Sequence, residues 1–352
     1  MLCAVNAAAL EREILQTDHA GQLPVVEVHD LVKQYGSGKS AVTAVRGVSF
    51  TVAPGEVFGF LGPNGAGKTT TISVLCTLLR PTAGSVRIAG YDVVRQANDV
   101  RRSIGLIFQD PTLDNQLTAQ ENLDFHAFAY DVPRAEARAR GEQLLRLLDL
   151  WERRNDQTKT FSGGMKRRLE IVRGLLHRPR VLFLDEPTQG LDPQTRALIW
   201  QYLLRLRESD GVTLFLTTHY MDEAEHADRI AIIDHGQIVA LDTPRHLKGR
   251  VGGDIVVVRT SDNARAIEEI ERRWGRTAVA HGAELRLEVE RGDEFVPELV
   301  RGISPRVEAI SVHRPTLDDV FMKLTGRAIR EEEASGLDLL RQRGRLWTGA
   351  RR

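Results

Sequence analysis

The run Gly-Pro-Asn-Gly-Ala-Gly-Lys-Thr at residues 62–69 constrains the fold more than any other feature of the sequence. It matches G-x-x-x-x-G-K-[S/T], the phosphate-binding loop that connects a buried strand to a helix. The apolar residues 57–61 before it predict the strand, and residues 69–79 after it predict the helix. We therefore expect an α/β fold in which backbone amides and a helix N-terminus face a phosphate group.

The residues of this loop have separate expected roles. Lys68 should reach the β- and γ-phosphates, the Thr69 hydroxyl should bind Mg²⁺, and Thr70 is placed for a further phosphate contact. The remaining residues should surround phosphate oxygens with their backbone amides: Gly62, Pro63, Asn64, Gly65, Ala66 and Gly67.

Two carboxylates follow a second apolar strand, at residues 181–186. Asp185 is expected near Mg²⁺ through a water molecule, and Glu186 is placed to polarise an attacking water. An apolar strand that ends in an acid is common by itself. Together with the phosphate-binding loop upstream, it indicates the second half of a nucleotide site.

A third motif, Phe-Ser-Gly-Gly-Met at residues 161–165, opens a predicted helix. Its free amides and the Ser162 hydroxyl are expected at the helix N-terminus, where negative charge is favoured. Ser-Gly-Gly alone is more often a plain helix cap. Its position shortly before Asp185 and Glu186 favours a role in phosphate binding.

In this order the motifs resemble the nucleotide-binding domain of ATP-binding cassette (ABC) proteins, over about residues 25–244. The signature of that family usually reads Leu-Ser-Gly-Gly-Gln, and the Ser-Gly-Gly core is kept here. The resemblance implies ATP and Mg²⁺ as cofactors and a head-to-tail homodimer. Ser162, Gly163 and Gly164 of one copy would then contact the nucleotide held by the loop of the other copy.

The resemblance assigns four further residues. Gln109 matches the glutamine that senses Mg²⁺ and water and couples to a transmembrane partner, so it counts as both a catalytic and a metal-binding residue. His219 matches the switch histidine, which holds the γ-phosphate together with Glu186. Asp192 matches the acid that crosses the dimer interface, and Tyr35 matches the aromatic residue that stacks on adenine.

Beyond residue 250 the pattern of strands and helices becomes βαββαβ, a small ferredoxin-like arrangement. The closing run at residues 314–326 resembles that of the daunorubicin-resistance-type ATPases, which are bacterial drug-export subunits that pair with a separate membrane protein. One apolar helical face packing on the small domain is the other interpretation of this run, and its residues are Leu317, Val320, Phe321 and Leu324.

The expected fold is thus an α/β P-loop NTPase of the ABC type. It comprises a RecA-like mixed-sheet core, an antiparallel β subdomain and a helical signature subdomain, followed by a small α+β domain. The predicted domains are an N-terminal extension at 1–22, the nucleotide-binding domain at 23–249, the C-terminal accessory domain at 250–326 and an Arg-rich tail at 327–352.

The composition of the chain indicates which partners and which cellular compartment to expect. Lys+Arg and Asp+Glu both number 48, so no net charge favours nucleic acid. Cys3 and Cys76 form neither a disulfide framework nor a metal motif, which is typical of a reducing cytosol. No apolar run reaches the roughly 20 residues that span a bilayer. We expect a peripheral protein at the cytoplasmic face of the cell membrane, with membrane contact only through its partner.

The sequence therefore predicts the ATP-binding and hydrolysing subunit of a bacterial exporter, which drives a hydrophobic, antibiotic-like substrate through a separate transmembrane permease. One alternative is a soluble ABC ATPase that acts on ribosomes or nucleic acid. The single cassette, the lack of a long coiled-coil insertion and the zero net charge disfavour it. A small-molecule kinase is disfavoured by the Ser-Gly-Gly motif and by His219.

Overall fold

The computed structural model describes residues 23–36, 38 and 41–326. The predicted N-terminal extension at 1–22 and the Arg-rich tail at 327–352 lie outside the described residues. The chain divides into two compact units, and the boundary falls between Leu241 and Asp242. The sequence placed this boundary after residue 249. It falls earlier because the short helix that follows Asp242 packs against the last helix of the second unit.

The first unit is built on two sheets and a group of helices. Its strands are β1 Val26–Tyr35, β2 Val42–Val52, β3 Val57–Leu61, β4 Ala83–Ile88, β5 Tyr91–Asp92, β6 Ile104–Ile107, β7 Val181–Asp185, β8 Thr213–Thr218, β9 Arg229–Asp234 and β10 Gln237–Asp242. Its helices are α1 Lys68–Leu75, α2 Ala97–Ser103, α3 Ala119–Ala129, α4 Arg134–Leu147, α5 Gly163–Leu175, α6 Pro193–Asp210 and α7 Met221–Ala224.

The central sheet has the strand order β10-β9-β3-β8-β7-β6. Strand β3 pairs in parallel with β8 and β9, and β7 pairs in parallel with β6 and β8. Every residue of β3, β7 and β8 is buried, which explains their continuous apolar sequences. Because the carboxyl ends of parallel strands share one edge, the segments that follow these three strands meet there.

An antiparallel sheet of order β2-β1-β4-β5 packs against this central sheet. Strand β1 runs without interruption from Val26 to Tyr35. Its register shifts after Val28, next to the left-handed backbone of Asp30. Phe50 of β2 lies 5.3 Å from Phe58 and 5.9 Å from Phe215, measured between ring centroids. These stacked rings form the apolar contact between the two sheets.

Helices α3, α4 and α5 follow β6 and precede β7 in the sequence, and they pack against one another. A capping box begins α3, since Thr118 and Glu121 each bond the backbone of the other. Helix α6 was not predicted, although Asp192 caps it and Pro193 occupies its first turn.

The second unit contains α8 Pro244–Gly249, β11 Asp254–Thr260, α9 Asn263–Trp274, β12 Ala278–His281, β13 Glu284–Val289, α10 Gly292–Gly302, β14 Val307–His313 and α11 Leu317–Thr325. Its antiparallel sheet has the order β12-β13-β11-β14, so the predicted ferredoxin-like arrangement is confirmed. Leu317, Val320 and Phe321 of α11 are buried, whereas Leu324, in the last turn of this helix, is 39% exposed and does not belong to the buried face. Within the described ranges, no helix has the length and apolar composition that crossing a bilayer requires.

Candidate nucleotide site

The loop between β3 and α1 is held tightly by its neighbours. Gly65 and Gly67 have left-handed φ angles of 82° and 107°. A Cβ atom at Gly62 would lie 2.3 Å from the carbonyl oxygen of Ile233, and one at Gly67 would lie 2.6 Å from that of Ala44. Any side chain at these two positions would push the loop out of place, so its shape requires glycine there.

Lys68 lies inside the loop and is almost fully buried. Its Nζ donates to the carbonyl oxygens of Gly62 at 2.7 Å and Pro63 at 3.1 Å, and it lies 3.4 Å from Glu186 Oε1. Asn64 and Thr69 are exposed at the mouth of the loop. A buried ammonium surrounded by a loop of backbone amides is an arrangement that binds phosphate.

The two carboxylates at the end of β7 differ in their electrostatics. Burial raises the pKa of Asp185, although the hydrogen bond from the Thr217 hydroxyl and the charge of Lys68 oppose this rise. Burial also acts to raise the pKa of Glu186, but the hydrogen bond from His219 and the charge of Lys68 outweigh it and lower that pKa. Glu186 is therefore ionised at neutral pH, as a base must be.

The Glu186 carboxylate lies between the side chains of His219 and Lys68. His219 Nδ1 is 3.2 Å from Glu186 Oε2, and Lys68 Nζ approaches the other carboxylate oxygen. The backbone of Glu186 has a left-handed φ of 48°. Such a conformation costs on the order of 1–3 kcal/mol and persists only where the surroundings hold it. Here the N–H of Glu186 donates to the Thr217 carbonyl at 3.1 Å.

Tyr35 lies beside the phosphate-binding loop. Its Oη is 3.4 Å from the hydroxyl oxygen of Thr70. The Lys33 ammonium lies 5.3 Å from the centre of the ring, which is 41% exposed. A half-exposed ring at this position is suited to stacking on a nucleotide base.

The signature motif lies at the surface. Ser162 caps α5 by accepting from the backbone N–H of Met165 at 3.3 Å, and both Ser162 and Gly163 are exposed. A Cβ atom at Gly164 would lie 2.6 Å from Thr195 Cγ2, so the motif packs against the start of α6.

Asp192 and Gln109 are also at the surface. Asp192 caps α6 by accepting from the Thr195 hydroxyl at 2.6 Å and from the Thr195 backbone N–H at 3.0 Å, and these two bonds lower the pKa of Asp192. The Gln109 side-chain amide donates to the side-chain oxygen of Gln189. The described chain thus brings Lys68, Asp185, Glu186 and His219 together, whereas Gln109 is paired with a neighbouring loop.

The residues present fit a magnesium ion that arrives with the nucleotide. The Asp185 carboxylate and the Thr69 hydroxyl are hard oxygen donors, and they are close enough to hydrogen-bond each other. Among the described residues, no group of three or more His, Cys, Asp or Glu side chains could hold a metal. Magnesium sites commonly combine one or two protein ligands with substrate phosphates, which matches this donor set.

Sequence reasoning missed several buried polar residues around the site. Arg167 of α5 donates to backbone carbonyls at the end of β7 and after β6. Glu223 of α7 accepts from the Thr188 hydroxyl, and burial raises its pKa to about 7. In the sequence, Arg167 and Glu223 are simply charged residues a few positions after Gly164 and His219. No local pattern distinguishes a buried charge of this kind from an exposed one.

Three features together define an ABC-type nucleotide-binding subunit. They are the phosphate-binding loop after β3, the paired carboxylates at the end of β7 and the histidine after β8. The family model described as ABC transporter matches residues 45–189, and the chain belongs to this family. It is an ATPase, as predicted. Daunorubicin resistance ATP-binding protein DrrA3 of Streptomyces coeruleorubidus is 40% identical over 316 residues, which cover 88% of this chain and 98% of that protein.

Other relatives match over a similar length. Linearmycin resistance ATP-binding protein LnrL of Bacillus subtilis is 36% identical, with 87% of this chain and 100% of that protein covered. Nod factor export ATP-binding protein I of Ralstonia nicotianae is 38% identical, with 88% and 97% covered. The predicted resemblance to the daunorubicin-resistance type is confirmed.

Solved structures agree with the fold. A dimeric ATP-binding cassette in a post-hydrolysis state, bound to ADP and Pi, has a TM-score of 0.56 and 30% identity. The match covers 62% of this chain and 98% of that one. The cbiO1 subunit from Clostridium perfringens has a TM-score of 0.60 and 26% identity, with 72% and 97% covered.

Glu223 should make stability depend on pH. Its pKa rises from 4.5 in the unfolded chain to about 7 in the fold, so its contribution to stability is present below pH 4.5 and is lost as pH rises to about 7. Glu223→Gln cannot ionise and should be spared this loss. We expect the wild type to lose roughly 3 kcal/mol relative to the variant between pH 4.5 and 8.

Thermal unfolding of both proteins across this pH range measures the difference. Glu152→Gln, at an exposed position, is the control and should follow the wild type. Unfolding curves of wild type and Glu223→Gln that shift in parallel with pH would show that Glu223 does not titrate in this range.

Proposed function

We propose that this chain is the ATPase subunit of a bacterial exporter that drives a hydrophobic, antibiotic-like substrate through a separate transmembrane permease. The observation that carries the chemistry is the contact series from Lys68 through the ionised Glu186 to His219. Relatives that cover 87–88% of this chain are named for drug resistance or export, which supports the transport role. The same names disfavour a soluble ATPase acting on ribosomes or nucleic acid.

Hydrolysis follows from the placement of these side chains. Lys68 binds the β- and γ-phosphates by exchanging its contacts to the Gly62 and Pro63 carbonyls for phosphate oxygens. Thr70 adds a phosphate contact, and Tyr35 stacks on adenine. Glu186 aligns the attacking water and takes its proton, while His219 fixes the carboxylate from the opposite side and reaches the γ-phosphate. Most of the catalysis is therefore positioning and electrostatic stabilisation.

Magnesium would be held by Thr69, by Asp185 through water and by Gln109. When bound, the ion neutralises charge on the phosphates as the bond to the leaving group breaks. Gln109 must first release Gln189, with which its side chain is hydrogen-bonded in the free subunit. Nucleotide binding is thus linked to the segment that follows β6.

A second copy of the chain supplies the other half of the site. Ser162, Gly163 and Gly164 lie at the exposed N-terminus of α5, where free backbone amides favour an anion. In a head-to-tail homodimer they would contact the γ-phosphate held by the other copy, and Asp192 would lie at the same interface. One of the similar solved cassettes is a dimer bound to ADP and Pi.

The permease contact is assigned to an exposed aromatic pair on α3. Phe125 and Phe128 are 69% and 82% exposed, and at a spacing of three residues they lie on one face of the helix. Phe108, beside Gln109, is also exposed. Neighbouring exposed aromatic rings are typical of a protein interface. Docking there would hold the subunit at the cytoplasmic face of the membrane, without membrane contact of its own.

Replacement of the base tests the chemistry. Glu186→Gln keeps the shape of the side chain but removes its ability to take a proton, so ATP should still bind while hydrolysis falls by roughly 10²-fold or more. Nucleotide affinity and steady-state ATPase rate of the full chain measure the two effects. Glu152→Gln serves as the control, and a near-normal rate in Glu186→Gln would refute the assignment of the base.

Replacement of the aromatic pair tests the docking surface. Phe125→Ser with Phe128→Ser should leave the basal ATPase rate within about twofold, because exposed substitutions rarely disturb a fold. Recovery of a polytopic membrane protein with the tagged chain from detergent-solubilised native membranes should be lost. Val279→Ser, at another exposed apolar position, is the control. Undiminished recovery by the double variant would place the permease contact elsewhere.

A further inference from the structure

Arg167 connects three parts of the nucleotide-binding unit through a single guanidinium group. It projects from α5 and is only 5% exposed. Its Nη1 donates to the Phe108 carbonyl at 2.6 Å and to Glu170 Oε2 at 3.2 Å. Its Nη2 donates to the carbonyl oxygens of Gln109 at 3.1 Å and Glu186 at 3.4 Å. One side chain thus holds the segment after β6, the segment after β7 and the signature helix.

Two further residues of α5 hold the same segment. Glu170 is buried, and its Oε1 accepts from the backbone N–H of Thr112 at 2.8 Å and from the Thr112 hydroxyl at 3.3 Å. Arg173 Nη1 donates to the Thr112 carbonyl at 2.9 Å. The segment 108–112 is therefore fixed to α5 at both of its ends, and it should move with that helix.

The charge of Arg167 is retained despite its burial. Burial lowers the pKa of Arg167, but the carboxylates of Glu170, Glu223 and Asp185 act against this shift. An arginine remains protonated under such conditions, so all of its N–H groups stay available as donors. The planar guanidinium also fixes the relative positions of the carbonyl groups that it bonds.

We propose that Arg167 is a positioning residue that couples the segment 108–112 and the signature helix to the catalytic base. The same Nη2 donates to the carbonyl oxygens of Gln109 and Glu186, so a displacement of the segment or of α5 shifts the peptide of Glu186. This inference rests on the proposed function, in which Glu186 is the base and Gln109 links the segment after β6 to the bound nucleotide. Arg167 itself does not reach the substrate.

The backbone of Glu186 explains why this anchor matters. Its φ of 48° is sparsely populated by residues other than glycine. The N–H is held by Thr217, while the carbonyl oxygen accepts from the backbone N–H of Gln189 at 3.2 Å and from Arg167 at 3.4 Å. Loss of Arg167 leaves this carbonyl with the bond from Gln189 alone. The peptide can then shift and move the carboxylate off the attacking water. Nucleotide affinity should be preserved, because the contacts of the phosphate-binding loop are untouched.

A purely structural role would be that of a buried ion pair between Arg167 and Glu170 that stabilises α5. The double variant Arg167→Met with Glu170→Met separates the two roles. It removes both buried charges together, a change that is often neutral for stability. It also removes the hydrogen bonds that Arg167 donates to the Gln109 and Glu186 carbonyls. Arg167→Lys is the second variant, because it keeps the charge pair but lacks the planar group that bonds several carbonyls at once.

The experiment compares thermal unfolding, ATP affinity and single-turnover hydrolysis in the full-length chain. For the double variant we expect a folded protein, an ATP affinity within about threefold and hydrolysis slowed by roughly 10²-fold, the effect of misplacing a catalytic group by about 1 Å. Arg167→Lys should show a smaller loss in hydrolysis with the same affinity. Arg168→Met is the matched control, because Arg168 donates to the Leu148 carbonyl, away from the base.

A folded double variant that hydrolyses ATP at the wild-type rate would overturn the proposal. If the double variant fails to fold, the test rests on Arg167→Lys. A wild-type rate of hydrolysis in Arg167→Lys would then overturn the proposal. Glu186→Gln, measured in parallel, distinguishes a failure of the proposed function from a failure of this inference. Full activity in Glu186→Gln removes the proposed base itself, whereas loss of activity in Glu186→Gln with full activity in both Arg167 variants removes only this inference.

Discussion

The series of contacts from Lys68 to Glu186 to His219 is the interaction on which the rest of the site depends. Each of these residues follows a buried strand of the central sheet, and β3, β8 and β7 are direct neighbours in that sheet. Parallel pairing brings the three strand ends to one edge, so residues far apart in sequence meet without a long loop. The positive charge of Lys68 and the hydrogen bond from His219 keep Glu186 ionised despite its burial.

Much of this arrangement is predictable from the sequence because each functional residue directly follows an apolar run. The loop at 62–69, Asp185 with Glu186, and His219 all follow strands that are buried along their full length. A parallel sheet covered on both faces imposes such runs, which a single sequence reveals clearly. The capping box is visible in the spacing of Thr118 and Glu121. The βαββαβ pattern of the second unit is visible in the order of its short apolar runs and helical segments.

Other features depend on tertiary contacts that leave no local pattern. Arg167 and Glu223 look like ordinary surface charges in the sequence, and only packing buries them. Helix α6 was missed because the sequence around Asp192 was interpreted as an interface loop, although Asp192 and Pro193 are also typical of a helix start. The pairing of Gln109 with Gln189 joins two loops and has no sequence signal. Ser162 and Gly163 are exposed in the single chain, and the role that we propose for them as half of a site requires a second copy.

The most direct test of the account uses mixed dimers of two inactive variants. Lys68→Ala destroys the phosphate-binding loop and Ser162→Arg blocks the signature motif, so each variant alone should be inactive. Co-expression with two different tags allows the mixed dimer to be purified and its single-turnover ATP hydrolysis measured. If the loop of one copy works with the signature motif of the other, the mixed dimer contains one intact site and should recover a substantial part of the wild-type rate. A mixed dimer no more active than either variant alone would contradict a site shared between two copies.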